Sequence, residues 1–221
     1  MDGFFQHLVW GDIAQATLDT LAMLGGSLVL TLALGIPLGV LLFLTSAGQI
    51  DQNRVANRVL GTVANTLRSI PFVILLIVMI PLTMLIVGTS LGVAGAIPPL
   101  VAGAAPFYAR MVEAALREIP RATIEAAQAM GATRFQIIRK VLLPEALPGL
   151  VAGGTVTAIT LVSFTAMAGV VGAGGLGDLA IRYGYQRFQA DIMLVTVALL
   201  VLLVQLIQWT GDWLTRRVDH R

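Results

Sequence analysis

SIPFVILLIVMIPLTMLIVGTSLGVAGAIPPLVAGAAPFYA, residues 69–109, runs for 41 positions without a single Asp, Glu, Lys or Arg. As one helix, rising about 1.5 Å per residue, it would be about 60 Å long, twice the ~30 Å hydrocarbon layer of a bilayer. The segment must therefore fold back on itself. Gly88-Thr89-Ser90-Leu91-Gly92 is the place for the turn, where glycines and small hydroxyls interrupt the apolar run. Two crossings result, one over 59–87 that begins ahead of Arg68, and one over 91–109.

Outward from this segment the same pattern repeats. Residues 20–50 and 146–177 are also free of charge, and 192–211 forms a further uncharged run. A single charge at the bilayer centre costs at least ~2.5 kcal/mol on the insertion scale, so such windows locate spans. The expected spans are 21–44, 59–87, 91–109, 146–173 and 192–211, within a membrane domain over 20–212. The chain is 57% hydrophobic and 12% charged with a mean hydropathy of +0.88, far from the roughly 25% charged residues of soluble domains. An all-α integral membrane protein follows, with lipid as its solvent. Residues 1–19 carry three aspartates and no Lys or Arg, unlike the basic start of a cleavable signal peptide, so the first apolar segment is expected to be kept. Zero cysteines exclude disulfides, thiolate metal sites and cysteine nucleophiles.

Five crossings put the two ends on opposite sides, and the distribution of bases chooses between the two orientations. Arg54, Arg58, Arg68, the six bases between 110 and 145, and Arg216, Arg217 and Arg221 make twelve on one side, against Arg182 and Arg187 on the other. The N-terminal segment is expected outside, and the 110–145 region and the 213–221 tail in the cytoplasm. Gly35 with Gly39 and Gly149 with Gly153 have the small-xxx-small spacing of close helix contacts. Pro37, Pro71, Pro81, Pro98, Pro99 and Pro106 each remove a backbone donor and are expected to kink or end a helix.

Charge gathers in one place. Ten of the 26 acidic and basic residues lie between Arg110 and Glu145, in 36 of 221 positions. Pro120 suits a helix start, Arg121 to Met130 are good helix formers, and Gly131 is suited to a left-handed stop. Thr133 then reads as the N-cap of a second short helix, with Phe135, Ile138 and Leu142 on one stripe. Ala126, Ala127 and Ala129 keep the first helix thin, so that a partner's groove can approach its backbone. Glu125 suits the helix dipole and is placed to meet a partner's base.

Glu125-Ala126-Ala127, three residues, Gly131, nine residues, then Val141-x-Leu143-Pro144 is a pattern that resembles the signature of permease subunits of bacterial ATP-binding cassette importers. Val141 stands where that family usually has Ile, which keeps a branched apolar side chain. Further stretches resemble the methionine-import permeases, D-methionine included: Arg68-Ser69-Ile70-Pro71-Phe72, Gly103-Ala104-Ala105-Pro106-Phe107, Ala109-Arg110-Met111-Val112-Glu113, Ala129-Met130-Gly131-Ala132-Thr133 and Gly172-Ala173-Gly174-Gly175-Leu176-Gly177. The similarity runs from about 17 to 212. It implies the type I importer permease fold, with coupling helices at about 120–143 that sit in a cleft of an ATPase subunit. Glu125, Ala126, Ala127, Met130, Gly131, Val141, Leu143 and Pro144 are the coupling residues it implies. It also implies a homodimer, two ATPase subunits that bind ATP and Mg, an external lipid-anchored binding protein, and methionine as cargo. A permease for another amino acid or for an osmolyte such as glycine betaine is the nearest alternative.

The chain has no means of hydrolysing ATP itself. A P-loop needs Gly-Lys before Ser or Thr, and the sole lysine, Lys140, follows Arg139. Gly172, Gly174 and Gly177 match a dinucleotide fingerprint, with Asp191 at a suitable distance, but no strand-turn-helix context surrounds them. Those glycines are expected to end the fourth span and to allow close packing. His7 and His220 sit at opposite ends, which leaves no shared metal site, and no cofactor is expected in this chain. No span centre carries Asp, Glu or Lys, which weighs against a proton-driven carrier, and the missing His, Cys and carboxylate pairs weigh against an enzyme. Ser163, Phe164, Thr165 and Met167, mixed polar and soft apolar residues in the middle of the fourth span, are the candidates for the transport route.

Overall fold

The computed structural model describes residues 9–219, and His7, His220 and Arg221 lie outside them. Ten α-helices make up almost all of this span: α1 Trp10–Thr45, α2 Arg54–Ser69, α3 Phe72–Val78, α4 Ile80–Val87, α5 Gly92–Arg117, α6 Arg121–Ala129, α7 Arg134–Ile137, α8 Leu143–Gly169, α9 Gly175–Leu179 and α10 Ala190–Val218. Ile138–Leu142 and Ala180–Tyr185 are π-helical turns. Four helical segments are long and apolar enough to cross a membrane, and a fifth is counted if α2 and α3, bent at their break, form one span.

The expected turn at 88–92 is present. Gly88 caps α4 with φ 80° and Gly92 opens α5 with φ 69°, conformations that L side chains rarely adopt. The crossing expected over 59–87 is not one helix. Pro71 lacks the amide that would continue α2 and caps α3 instead, and Pro81 in the first turn of α4 separates it from α3. Elsewhere the prolines do less than expected, since Pro37 lies inside α1 and Pro98, Pro99 and Pro106 lie inside α5 without ending either helix. Helices α1, α5 and α10 outrun their apolar windows. Asp12 falls in the first turn of α1, where the dipole favours it, and Arg216 and Arg217 fall in the last turn of α10, where it favours bases.

The chain divides into two compact units. The first comprises the described part of Met1–Leu30 with Ile70–Ala104 and Ala158–Gln208. Its core joins Met23, Leu24, Phe72, Leu76, Leu100, Ala104, Leu161 and Val162, and Phe72 stacks face to face on Phe164 with ring centroids 4.3 Å apart. The glycine run after α8 belongs to this core rather than to a nucleotide site. Leu176 donates its N–H to the Thr20 hydroxyl at 2.9 Å, and Gly92 donates to the Gly172 carbonyl at 3.0 Å. A Cβ at Gly175 would lie 2.7 Å from the Thr20 hydroxyl oxygen, so only a glycine admits this approach.

Thr31–Ser69, Ala105–Thr157 and Trp209–Arg221 make the second unit. Here α5 is gripped on two sides by the glycine pairs. A Cβ on Gly39 would stand 2.5 Å from the Ala109 carbonyl oxygen, and one on Gly35 would stand 2.7 Å from the Tyr108 ring. From α8, a Cβ on Gly149 would meet that of Ala115 at 2.7 Å, and one on Gly153 would meet that of Met111 at 2.9 Å. In lipid, where apolar burial drives helices together only weakly, such backbone approach supplies the contact. Tyr108, buried between them, donates to the Leu150 carbonyl at 3.2 Å. Tyr108→Phe should cost about 1 kcal/mol, the net worth of one such bond, read as a small fall in the unfolding midpoint of the detergent-solubilised protein.

Candidate coupling surface

The 120–145 segment is a folded knob, built by two local devices. At its centre α6 ends in a Schellman motif: Ala132 donates to the Ala127 carbonyl at 3.1 Å and Gly131 to the Gln128 carbonyl at 2.9 Å. Gly131 supplies the left-handed residue, with φ 77°. Thr133 then caps α7 in a reciprocal box. Its hydroxyl accepts the Gln136 N–H at 3.4 Å, while the Gln136 side-chain oxygen accepts the Thr133 N–H at 2.8 Å. Both the glycine stop and the threonine cap match the sequence expectation. Thr133→Ala should remove about 1 kcal/mol of local stability, visible as faster amide exchange over α7.

One side of the knob is core. Ile124, Ala127, Ile137 and Leu142 are buried against Phe43 and Leu44 of α1, Val112 and Leu116 of α5, and Ile119 just after it. Burying Ile124, Ile137 and Leu142 is worth roughly 1.5–3 kcal/mol each, so the knob moves with those helix ends rather than on its own. Arg134 adds an ion pair to Asp51 in the loop after α1.

The other side is bare. Glu125, Ala126, Met130, Gly131 and Pro144 are exposed, Met130 at 81%, whereas Ala127 is buried and Val141 and Leu143 are half-buried. The structure therefore parts the expected coupling residues: Glu125, Ala126, Met130, Gly131 and Pro144 form the surface, while Ala127, Val141 and Leu143 attach it to the core. Glu125 pairs with Arg121 at 2.9 Å, but both side chains are mostly exposed, so the pair contributes little by itself. The expected stripe of Phe135, Ile138 and Leu142 is corrected. Phe135 points outward and is 68% exposed, and Ile137 takes the buried place with Leu142. The π turn over Ile138–Leu142 is the reason, because its wider loop puts residues five apart on one face, which an α period does not. Met130 and Phe135 are thus exposed apolar side chains on an otherwise mostly polar segment.

Gly131 is limited by backbone and not by space, since a Cβ there would find no atom within 4 Å. A β-branched residue at its positive φ costs on the order of 1–2 kcal/mol and favours a redrawn turn. Gly131→Val should leave the chain in the membrane but loosen the turn, measured as faster amide exchange over 128–134.

Beneath the knob, the end of α5 carries a network that the sequence did not announce. Glu113, 8% exposed, accepts from Arg110 at 2.6 Å and from Arg117 at 2.7 Å. Arg110 also donates to the Gly61 carbonyl and the Asn65 side-chain oxygen of α2, each at 3.1 Å. The spacing i, i+3, i+7 was readable as one helix face, but the partners 49 and 45 residues away were not.

On α8 the four candidate route residues separate. Ser163 and Met167 are exposed on one face, Phe164 is held in the stack with Phe72, and Thr165 is buried with its hydroxyl donated to the Val162 carbonyl at 2.7 Å.

Comparison with known proteins gives one consistent result. The family model described as "Binding-protein-dependent transport system inner membrane component" matches residues 35–221. The chain is 56% identical over 209 residues to a probable D-methionine transport system permease protein of Vibrio cholerae, covering 95% of this chain and 93% of that one. It is 47% identical over 218 residues to the methionine import system permease protein of Bacillus subtilis, covering 99% and 98%. A solved chain of the MetNI methionine ABC transporter, in inward-facing conformations, superposes with a TM-score of 0.94 at 53% identity, covering 96% and 98%. A chain of an amino acid ABC transporter superposes with a TM-score of 0.77 at 15% identity and shares the fold. With the family model matched over most of its length, the chain belongs to the inner-membrane components of binding-protein-dependent transport systems.

Proposed function

We propose that this chain is the permease subunit of an ATP-driven importer that carries methionine across the bacterial cytoplasmic membrane. The observation that carries the cargo is identity of 56% and 47%, over nearly the whole chain, to permeases named for D-methionine and methionine transport. Two copies enclose the route, and each seats its 120–143 knob on one ATPase subunit, where ATP and Mg are bound. A binding protein delivers cargo from outside. The twelve-to-two distribution of bases supports an external N-terminus, a cytoplasmic C-terminus and a cytoplasmic knob.

The work of coupling follows from how the knob is held. Closure of two ATPase subunits pushes on Met130, Phe135 and the thin face of α6, and the buried side of the knob passes the displacement to the ends of α1 and α5. Those helices contact one another and α8 through glycine, with little side chain to absorb the motion. Ser163 and Met167, exposed on α8, line the route, and Phe164 is positioned by its stack on Phe72. Met167 suits a thioether cargo because its own sulfur and methyl adapt to it.

The test is uptake of labelled L- and D-methionine into liposomes holding this chain with its ATPase and binding protein. Uptake of methionine should require all three components and ATP. Uptake without ATP would overturn the importer reading, and stimulated ATPase without methionine uptake would overturn the cargo.

A further inference from the structure

The helix that Arg110 grips has an outer face no part of the described chain covers. Asn53 caps α2 by accepting from the Val55 and Ala56 amides at 3.1 and 3.0 Å, and Asn57 ties its first turns to the Leu42 carbonyl at the end of α1 at 2.8 Å. Gly61 and Asn65 meet Arg110, and Arg68 lies 5.5 Å over the Phe107 ring. Residues 61–68 of α2 thus meet a single turn of α5, 107–110. This contact falls where α5 passes from the uncharged stretch ending at Ala109 to Arg110, Glu113 and Arg117, the level at which a span leaves the hydrocarbon.

The outer face is two-sided. Val55, Val59 and Val63, four apart, are 73%, 56% and 54% exposed, and Arg54 and Arg58 lie exposed beside them. The helix contains three arginines and no acid, and among the described residues no carboxylate pairs with Arg54 or Arg58. Both bases stand in the first turns of α2, at the positive end of its dipole, where a cation is disfavoured unless an anion lies close.

We propose that α2 is an in-plane helix seated in the cytoplasmic lipid surface, with Val55, Val59 and Val63 in the acyl boundary and Arg54 and Arg58 on anionic phospholipid headgroups, so that α3 and α4 make the second crossing. Charge selects this occupant: a basic, acid-free face with an apolar stripe fits an anionic leaflet. By seating α2 on the lipid surface while Arg110 ties it to α5, this arrangement links the end of α5 to the leaflet. It rests on the membrane placement alone and holds whatever the cargo.

The natural chain has no cysteine, so single labels report cleanly. A nitroxide at Val59→Cys is placed in the complex with its ATPase and read in nanodiscs of phosphatidylcholine with and without phosphatidylglycerol. With phosphatidylglycerol the label should be open to oxygen and shielded from a water-soluble relaxant. Arg54→Gln and Arg58→Gln should each lower the phosphatidylglycerol retained on purification by about fivefold. A Val59→Cys disulfide between copies would assign the face to a second copy, and shielding that appears only with the ATPase would assign it to that partner. Either result, or a label open to water in both lipids, would overturn the proposal.

Discussion

Glu113→Ala should lower the stability of the permease by about 3–5 kcal/mol, the range for removing one member of a buried ion network. Glu113 is the acceptor for both arginines, and its side chain is 8% exposed, so its loss strands charge that water reaches poorly. Arg110 suffers most. Its side chain is 23% exposed and is held by α2, whereas that of Arg117 is 51% exposed and can turn to water. Glu113→Gln keeps an acceptor and should lose about half as much. Thermal unfolding of the purified complex checks both, together with cleavage of the 46–53 loop by protease, which should accelerate as α2 loosens. A shift no larger than the ~1 kcal/mol typical of surface pairs would mean that the network is peripheral.

Met130→Asp with Phe135→Asp should weaken capture of the ATPase subunit by about a hundredfold, as expected from losing one contact hot spot of ≥ 2 kcal/mol and adding unpaired charge to a desolvated surface. The two side chains are 81% and 68% exposed, so the chain should fold without them. Titration of labelled ATPase onto the permease in nanodiscs gives the affinity. Unchanged affinity would move the contact off this face.

How much of this was legible in the sequence depends on range. Features set by neighbours in the chain were readable: the fold-back at Gly88 and Gly92, the left-handed stop at Gly131 and the Thr133 cap each follow from local backbone chemistry. The glycine pairs at 35 and 39 and at 149 and 153 named the close contacts without naming α5 as their shared target. Phe135 was misplaced because a π turn changes the helical period, and nothing in residues 138–142 marks that change. Breaks at Pro71 and Pro81 divided what hydropathy treats as one crossing, because an apolar average is blind to a missing amide. Arg110 could be placed on a helix face, but its partners Gly61 and Asn65 depend on tertiary packing. Ser163 and Thr165 looked equivalent as small hydroxyls, and only the packing of α8 separates the exposed one from the buried one.

The most direct test of the coupling account is a pulsed dipolar distance between spin labels at Met130→Cys on the two copies, within the complex with its ATPase, before and after ATP binding. A shortening of several ångströms on ATP binding, in step with an altered distance between Met167→Cys labels, is the predicted result. An unchanged Met130 distance in a complex that still imports methionine would contradict it.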